Sequence, residues 1–252
     1  MNMTELKSNA EWKQWGRDDP MWAAASWSNK RKGASTEWTE EDFYAIGESD
    51  WRGFLDHWRQ YGIDTGSCLE IGCGAGRITR QLAGSFDRVY AVDVSEHMIN
   101  RAREALGGGN VEFSVTDGLH LPQRNCAVKA IFSTHVLQHL DSIDIGFLYF
   151  REMFRALDAG GTIMIHLPLY EFPNDTRRLG VLMHCLHSIY RRFDNIRAHL
   201  QRRLGVKMMR GTAYPIRPLN LFLSGLGFKN IEFRIFPAES NGDLHAFVFA
   251  AK

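Results

Sequence analysis

From Ser67 onward the apolar positions alternate between two spacings. Short β-rich runs end on polar residues, and between them lie segments with apolar residues three and four apart, the period of an amphipathic helix. Strands are predicted at Ser67–Ile71, Arg88–Val92, Asn110–Val115, Val128–Thr134 and Thr162–Leu167. Helices are predicted at Arg77–Phe86, from Ser95 as N-cap to Leu106, and at Ile143–Leu157, with a turn over Asp158-Ala159-Gly160-Gly161 before the fifth strand. Strand and helix alternate, which implies right-handed βαβ crossovers and a parallel sheet.

The alternation changes at both ends. Trp51, Phe54, Leu55, Trp58 and Tyr61 follow a helical spacing over Glu48–Tyr61, with Gly62 as the stop. Residues 1–47 have no clean strand period and read as short helices and loops. After Pro168 a long amphipathic helical pattern occupies about 169–216, followed by a short helix Leu219–Leu226 ended by Gly227. Lys229–Phe236 and Leu244–Ala251 are strands with no helix between them, so they are expected to pair as an antiparallel hairpin at the sheet edge. The organisation is a Trp-rich N-terminal cap (1–47) and a core (48–252) with a helical insertion at about 169–216.

Composition adds limits. The 252 residues, 44% hydrophobic, suffice for a large core. No apolar run is long enough to span a membrane, and the polar N-terminus is unlike a signal peptide. Cys68, Cys73, Cys126 and Cys185 form no CxxC pair, which argues against zinc and against a disulfide framework and points to a reducing cytoplasm. The net charge of +1 hides nine Arg/Lys between Arg177 and Arg210, opposed only by Asp194. These arginines suit phosphate or carboxylate, or form the solvated face of a packed helix; contact with an acidic membrane surface is a third reading. No nucleic-acid-binding motif is present. All seven tryptophans lie within the first 58 residues. Trp51 and Trp58 fit a core stripe, whereas Trp22, Trp27 and Trp38 are lid candidates. Lys30-Arg31-Lys32 is expected as a solvated loop or a partner for an anion.

In such sheets ligands lie beyond the carboxyl ends of the strands. There the chain carries Leu69-Glu70-Ile71-Gly72-Cys73-Gly74-Ala75-Gly76, a strand feeding a glycine turn and then a helix. Glycine permits the sharp turn and a close ligand, and the helix start offers free N–H groups. Asp93, 17 residues after Gly76, can accept both hydroxyls of a ribose. A dinucleotide fold uses a similar turn. Three features favour another ligand: Glu70, which suits an ammonium better than a pyrophosphate; Thr116-Asp117-Gly118 after the third strand; and the terminal hairpin.

Over about residues 48–168 the chain resembles the class I S-adenosylmethionine-dependent methyltransferases. The resemblance lies in Leu69–Arg77, Ala91–Ser95, Thr116–Pro122, Ile131–Leu140 and Leu157–Gly161, in order and spacing; Asp158 and Ala159 depart from the usual basic residue and proline of the last motif. The resemblance implies a Rossmann-like, seven-stranded, mostly parallel sheet with S-adenosylmethionine as cofactor. By position, Glu70, Gly72, Cys73, Gly74 and Gly76 would line its methionine part. Asp93 would hold the ribose, Val94 and Met98 the adenine face, and Thr116, Asp117 and Gly118 the adenine edge. Ser133 and His135 would lie below the sulfonium. His135, His139 and His166 are the candidate bases, each with a structural alternative as a hydrogen-bonded histidine. The expected reaction is O-methylation of a natural product, sugar or anionic small molecule, without metal or nucleic acid. A homo-oligomer is left open. The competing readings are an NAD-dependent oxidoreductase and a non-catalytic methyltransferase-like partner protein.

Overall fold

The structure is a computed structural model that describes residues 6–27, 29–171 and 211–252. Three helices come first: α1 (Lys7–Asp18), α2 (Pro20–Ala24) and α3 (Glu40–Tyr61). The core follows as β1 (Cys68–Ile71), α4 (Thr79–Ser85), β2 (Val89–Asp93), α5 (Glu96–Leu106), β3 (Val111–Val115), β4 (Val128–Ser133), a 3-10 turn at Leu137–His139, α6 (Ile143–Ala156) and β5 (Leu157–His166). A two-residue bridge pairs β6 (Leu169–Tyr170) with β7 (Tyr214–Pro215). The chain ends with α7 (Ile216–Leu226), β8 (Lys229–Pro237) and β9 (Leu244–Ala251).

The seven-stranded sheet has the order β3-β2-β1-β4-β5-β9-β8. β1 to β5 are parallel, and β9 runs antiparallel to both β5 and β8. The chain moves outward from β1 to β3, then returns to place β4 on the other side of β1. That reversal creates a crevice beyond the carboxyl ends of β1 and β4. Antiparallel insertion of β9 has a second effect. Its first residues lie beside the last residues of β5, with His166 paired to Phe247 and the Leu167 N–H donating to the Ala246 carbonyl. The β8–β9 turn is thereby carried to the crevice.

Each sheet face is covered by helices whose apolar stripe matches it. Phe54, Trp58 and Leu82 from α3 and α4 close one face over Phe132 and Phe247, while α6 and α7 bury Phe150, Met153, Leu219 and Leu223 on the other. Full burial of a side chain such as Phe54 contributes about 1.5–3 kcal/mol. The helix read at Glu48–Tyr61 begins earlier, at Glu40. Thr39 caps it by accepting the Asp42 N–H, three acidic residues fill its first turn, and left-handed Gly62 ends it. One helix therefore runs through position 47, joining cap to core.

Other boundaries shift. α4 starts at Thr79 rather than Arg77, because residues 74–78 form a turn. Asp158–Gly161 lies inside β5 as a bulge rather than before it. The register jumps from Val128↔Leu157 to Ala130↔Thr162, and Lys129 and Asp158 pair at 2.6 Å beside it. The expected basic insertion falls mostly on residues 172–210, outside those described.

The tryptophans form a satellite core. Trp15, Trp38, Phe43 and Tyr44 pack with Ala75 and Met98. Trp38, expected as a lid residue, is 5% exposed and donates its Nε1–H to the Ala25 carbonyl at 2.8 Å. A buried indole with its N–H satisfied is a core residue. Lys30 pairs with Asp42 at 3.0 Å and lies over the Trp38 ring, and Arg31 lies over Trp22.

Candidate active site

A cavity of about 460 Å³ opens beyond the carboxyl ends of β1, β2 and β4, within the range of small-molecule sites. It is walled by the glycine turn, Asp93–Val94, the loop after β4, the start of α1, the segment after α2, and the β8–β9 turn. Of the residues singled out from the sequence, Glu70, Gly72, Cys73, Gly74, Asp93, Val94, Met98, Thr116, His135 and His139 line it. Gly76, Asp117, Gly118, Ser133 and His166 do not.

The glycine turn is shaped by the protein as much as by any ligand. Gly72 has φ +74°, and a Cβ there would stand 2.2 Å from Val136 Cγ2. Gly76 also lacks room, but toward Ala102 and Leu106 of α5. Its expected ligand contact is therefore replaced by helix packing. The Gly74 N–H donates to Asp93 Oδ2 at 3.0 Å and the Ser95 N–H to Asp93 Oδ1 at 2.8 Å. Asp93 thus ties the turn to the end of β2 and keeps spare lone pairs on both oxygens. Burial raises its pKa, partly countered by those N–H bonds.

Glu70 ends β1 at 3% exposure and accepts the Thr79 hydroxyl at 2.6 Å. Burial pushes its carboxyl up to about 7, despite that bond and Arg77. Arg77 is committed to Asp50 at 2.7 Å, and the other Asp50 oxygen accepts the Ser240 N–H at 3.1 Å. Among the described lining residues Arg77 is the only Lys or Arg, whereas Asp50, Glu70, Asp93 and Asp243 are acidic. The cavity is therefore acidic, which favours a cationic ligand.

The adenine edge differs from expectation. The Asp117 carboxylate turns back on its own loop, accepting the Leu119 and His120 N–H groups at 2.8 Å and pairing with His120 Nδ1 at 2.8 Å. Asn9 of α1 donates to the Asp117 carbonyl at 2.7 Å and fills the space beside Gly118. Asn9 lines the cavity there; a polar residue on α1 gave no signal in the sequence. Ser133 is fully buried and donates to the Ile71 carbonyl at 2.9 Å, holding β4 to β1 rather than facing the cavity.

His135 follows β4 with φ +57°, a conformation costly for a residue with a Cβ. Its imidazole lines the cavity, and burial, then His166, hold its pKa well below the ordinary value. His166, behind it, is 6% exposed and pushed down to about 3 by burial and then by His245. His245 on β9, absent from the sequence expectations, lines the cavity and is also shifted down by burial. His139 is buried in the cavity wall, its ring tilted against Trp12 with centroids 5.2 Å apart, and it is joined to Gln138 Nε2 at 3.0 Å. Ser8 and Thr134 line the cavity, and their hydroxyls are buried without a partner among the described residues. Orphaned polar atoms of this kind mark places where a ligand supplies the missing bond.

With this geometry in place, residues 68–161 match the family described as "Methyltransferase domain". Over 77 residues the chain is 31% identical to the O-methyltransferase cnsE of Penicillium expansum, a match spanning 29% of this chain and 28% of that protein's length. The fold is similar to a solved S-adenosylmethionine-dependent methyltransferase of Methanosarcina mazei (TM-score 0.56, 20% identity, 77% of this chain and 95% of that one). It is also similar to magnesium protoporphyrin IX methyltransferase of Synechocystis with bound S-adenosylhomocysteine (TM-score 0.59, 15% identity, 97% of each chain). Residues 68–161 thus match a methyltransferase domain, on a fold shared with solved S-adenosylmethionine-dependent methyltransferases. The residues present fit S-adenosylmethionine as cofactor: an acidic cavity, a glycine cradle braced by Asp93, and hydroxyls unpartnered among the described residues.

Proposed function

We propose that this protein methylates an oxygen of a small, uncharged, hydroxyl-bearing acceptor. When bound, S-adenosylmethionine supplies a methyl group on a sulfonium, transferred in line to the acceptor oxygen while the C–S bonding electrons leave with sulfur. On this reading Glu70 and the Gly72–Gly74 turn hold the amino-acid end, Asp93 accepts from the ribose hydroxyls, and Asn9 with Thr116 meets the adenine edge. The observation that carries the acceptor side is His135. A neutral imidazole with no hydrogen bond on its ring among the described residues lines the cavity at the tip of β4. It takes the hydroxyl proton as the O–CH3 bond forms. Its depressed basicity suffices, because an alkylated hydroxyl is a strong acid.

An uncharged acceptor is favoured by the described lining, where the one arginine, Arg77, is already paired with Asp50. The β6–β7 bridge, which flanks residues 172–210, is anchored beside Gln138 by the Thr212 N–H to Gln138 carbonyl bond at 2.7 Å. Free thiols at Cys68, Cys73 and Cys126 accord with a reducing, cytoplasmic setting; among the described residues no helix is long and apolar enough to cross a membrane.

Radiolabelled methyl transfer from S-adenosylmethionine to a panel of small alcohols, phenols and amines tests the reading. Labelled ethers are expected. Label only in the amines refutes the oxygen assignment. A thermal shift with NAD but none with S-adenosylhomocysteine refutes the whole reading.

A further inference from the structure

Three imidazoles meet below the cavity on adjacent strands: His135 after β4, His166 at the end of β5 and His245 at the start of β9. Their ring centroids lie 4.4 to 4.9 Å apart. One nitrogen from each lies within 4.8 Å of the other two, a spacing that suits a divalent ion as well as a chain of shared protons. The hydrogen bonds decide between these. The backbone N–H of His135 can only donate, and it donates to His166 Nδ1 at 3.3 Å. Nδ1 therefore carries no proton. A neutral imidazole keeps one proton, so in His166 it sits on Nε2, which faces His245 Nδ1 at 3.2 Å and donates to it. The proton of His245 must then sit on its Nε2. A metal-bound histidine donates from its second nitrogen. His166 cannot do so, because that nitrogen is an acceptor. Burial keeps all three rings neutral near physiological pH, so the order of protons is maintained.

The two rings that line the cavity therefore offer opposite chemistry. His245 is 8% exposed, and its Nε2–H meets no partner among the described residues. Among the described residues the His135 ring makes no hydrogen bond, and it keeps a lone pair. We infer that His245 is an acceptor-binding residue, and that with His135 it selects an acceptor whose hydroxyl adjoins a second, hydrogen-bond-accepting oxygen, as in an α-hydroxyketone or an ortho-hydroxycarbonyl ring. The hydroxyl gives its proton to His135, and the neighbouring oxygen accepts from His245 Nε2–H. Ring centroids 4.9 Å apart at 87° suit oxygens on adjacent carbons. His166 acts through His245, as a positioning residue. The acceptor class rests on the proposed oxygen methylation; the order of protons does not.

Long-range proton–nitrogen correlation spectra of the full chain with S-adenosylhomocysteine read the tautomers directly. Wild type is expected to show His245 with Nδ1 bare and Nε2 protonated, and His166→Phe to show a mixture of both forms. With the same complex, hydroxyacetone is expected to bind about tenfold more tightly than 1-propanol, the effect of one added hydrogen bond. That preference is lost in His245→Phe and retained in His245→Gln, whose amide can donate in place of Nε2; the glutamine variant also serves if the phenylalanine variant fails to fold. A His245 proton on Nδ1, equal affinity for the two probes in wild type, or stoichiometric zinc binding abolished by His166→Phe overturns the inference. Failure of wild type to bind S-adenosylhomocysteine would instead overturn the cofactor reading and leave the tautomer result standing.

Discussion

The two ends of the cavity are built differently. The cofactor end is local: Glu70, the glycine turn and Asp93 come from two consecutive strand ends, within 24 residues of chain, and the turn hydrogen-bonds to Asp93. The acceptor end is assembled from afar. His135, His166 and His245 meet only because β9 runs antiparallel beside β5. On the proposed reading the donor is held by a motif that any chain of this fold can carry, while the acceptor is read by residues that depend on where the last hairpin falls.

The largest expected effect is at the cofactor end. Gly72→Ala forces a Cβ to 2.2 Å from Val136 at φ +74°. Chemical denaturation should show a loss of about 2–4 kcal/mol, with S-adenosylhomocysteine binding abolished. Retained stability and binding would break the view that the turn is fixed by its own packing. The acceptor end should respond in the opposite sense. His135→Asn keeps a residue tolerant of the left-handed backbone but removes the base. The rate of methyl transfer should fall by roughly 10²–10⁴-fold, with S-adenosylhomocysteine affinity unchanged by calorimetry.

Glu70→Gln separates stability from binding. In the unfolded chain Glu70 ionises near 4.5, and in the fold near 7. Between those values the native state holds the extra proton, so this residue makes stability fall as pH rises from 4.5 through about 7. Above that window its ionised form is buried at a cost. The glutamine variant should therefore flatten this fall and gain on the order of 2 kcal/mol at pH 8, read as thermal stability against pH, while binding the cofactor more weakly. A steeper dependence in the variant would contradict the assignment. The smallest effect is at Asn9. Asn9→Ala removes the bond to the Asp117 carbonyl and should weaken S-adenosylhomocysteine binding by about five- to tenfold, whereas Asp117→Asn should change it less. The reverse order would restore Asp117 as the adenine contact.

The same contrast explains what was legible in the sequence. The alternation of strands and helices, the terminal hairpin, the Ser95 cap and the roles of Trp51 and Trp58 follow from periodicity and end signals, which are local. The bulge at Asp158–Gly161 was hidden because its glycines mimic a turn. Trp38 gave no periodic signal in a loop-like stretch, yet its ring found Phe43 and Trp27. Asn9 and His245 needed the tertiary fold: one is a polar residue on a cap helix, the other a histidine in an otherwise apolar strand. The Asp117 carboxylate turns away from the cavity because the loop offers it two backbone N–H groups at close range.

The central claim is that the glycine turn and Asp93 form an S-adenosylmethionine site. Calorimetric titration of S-adenosylhomocysteine into wild type and Asp93→Ala tests it most directly. The account predicts saturable 1:1 binding to wild type and a loss of about 100-fold in the variant, the effect of losing charge-assisted bonds to two hydroxyls. Equal affinity in the two proteins, or no binding to wild type, would contradict it.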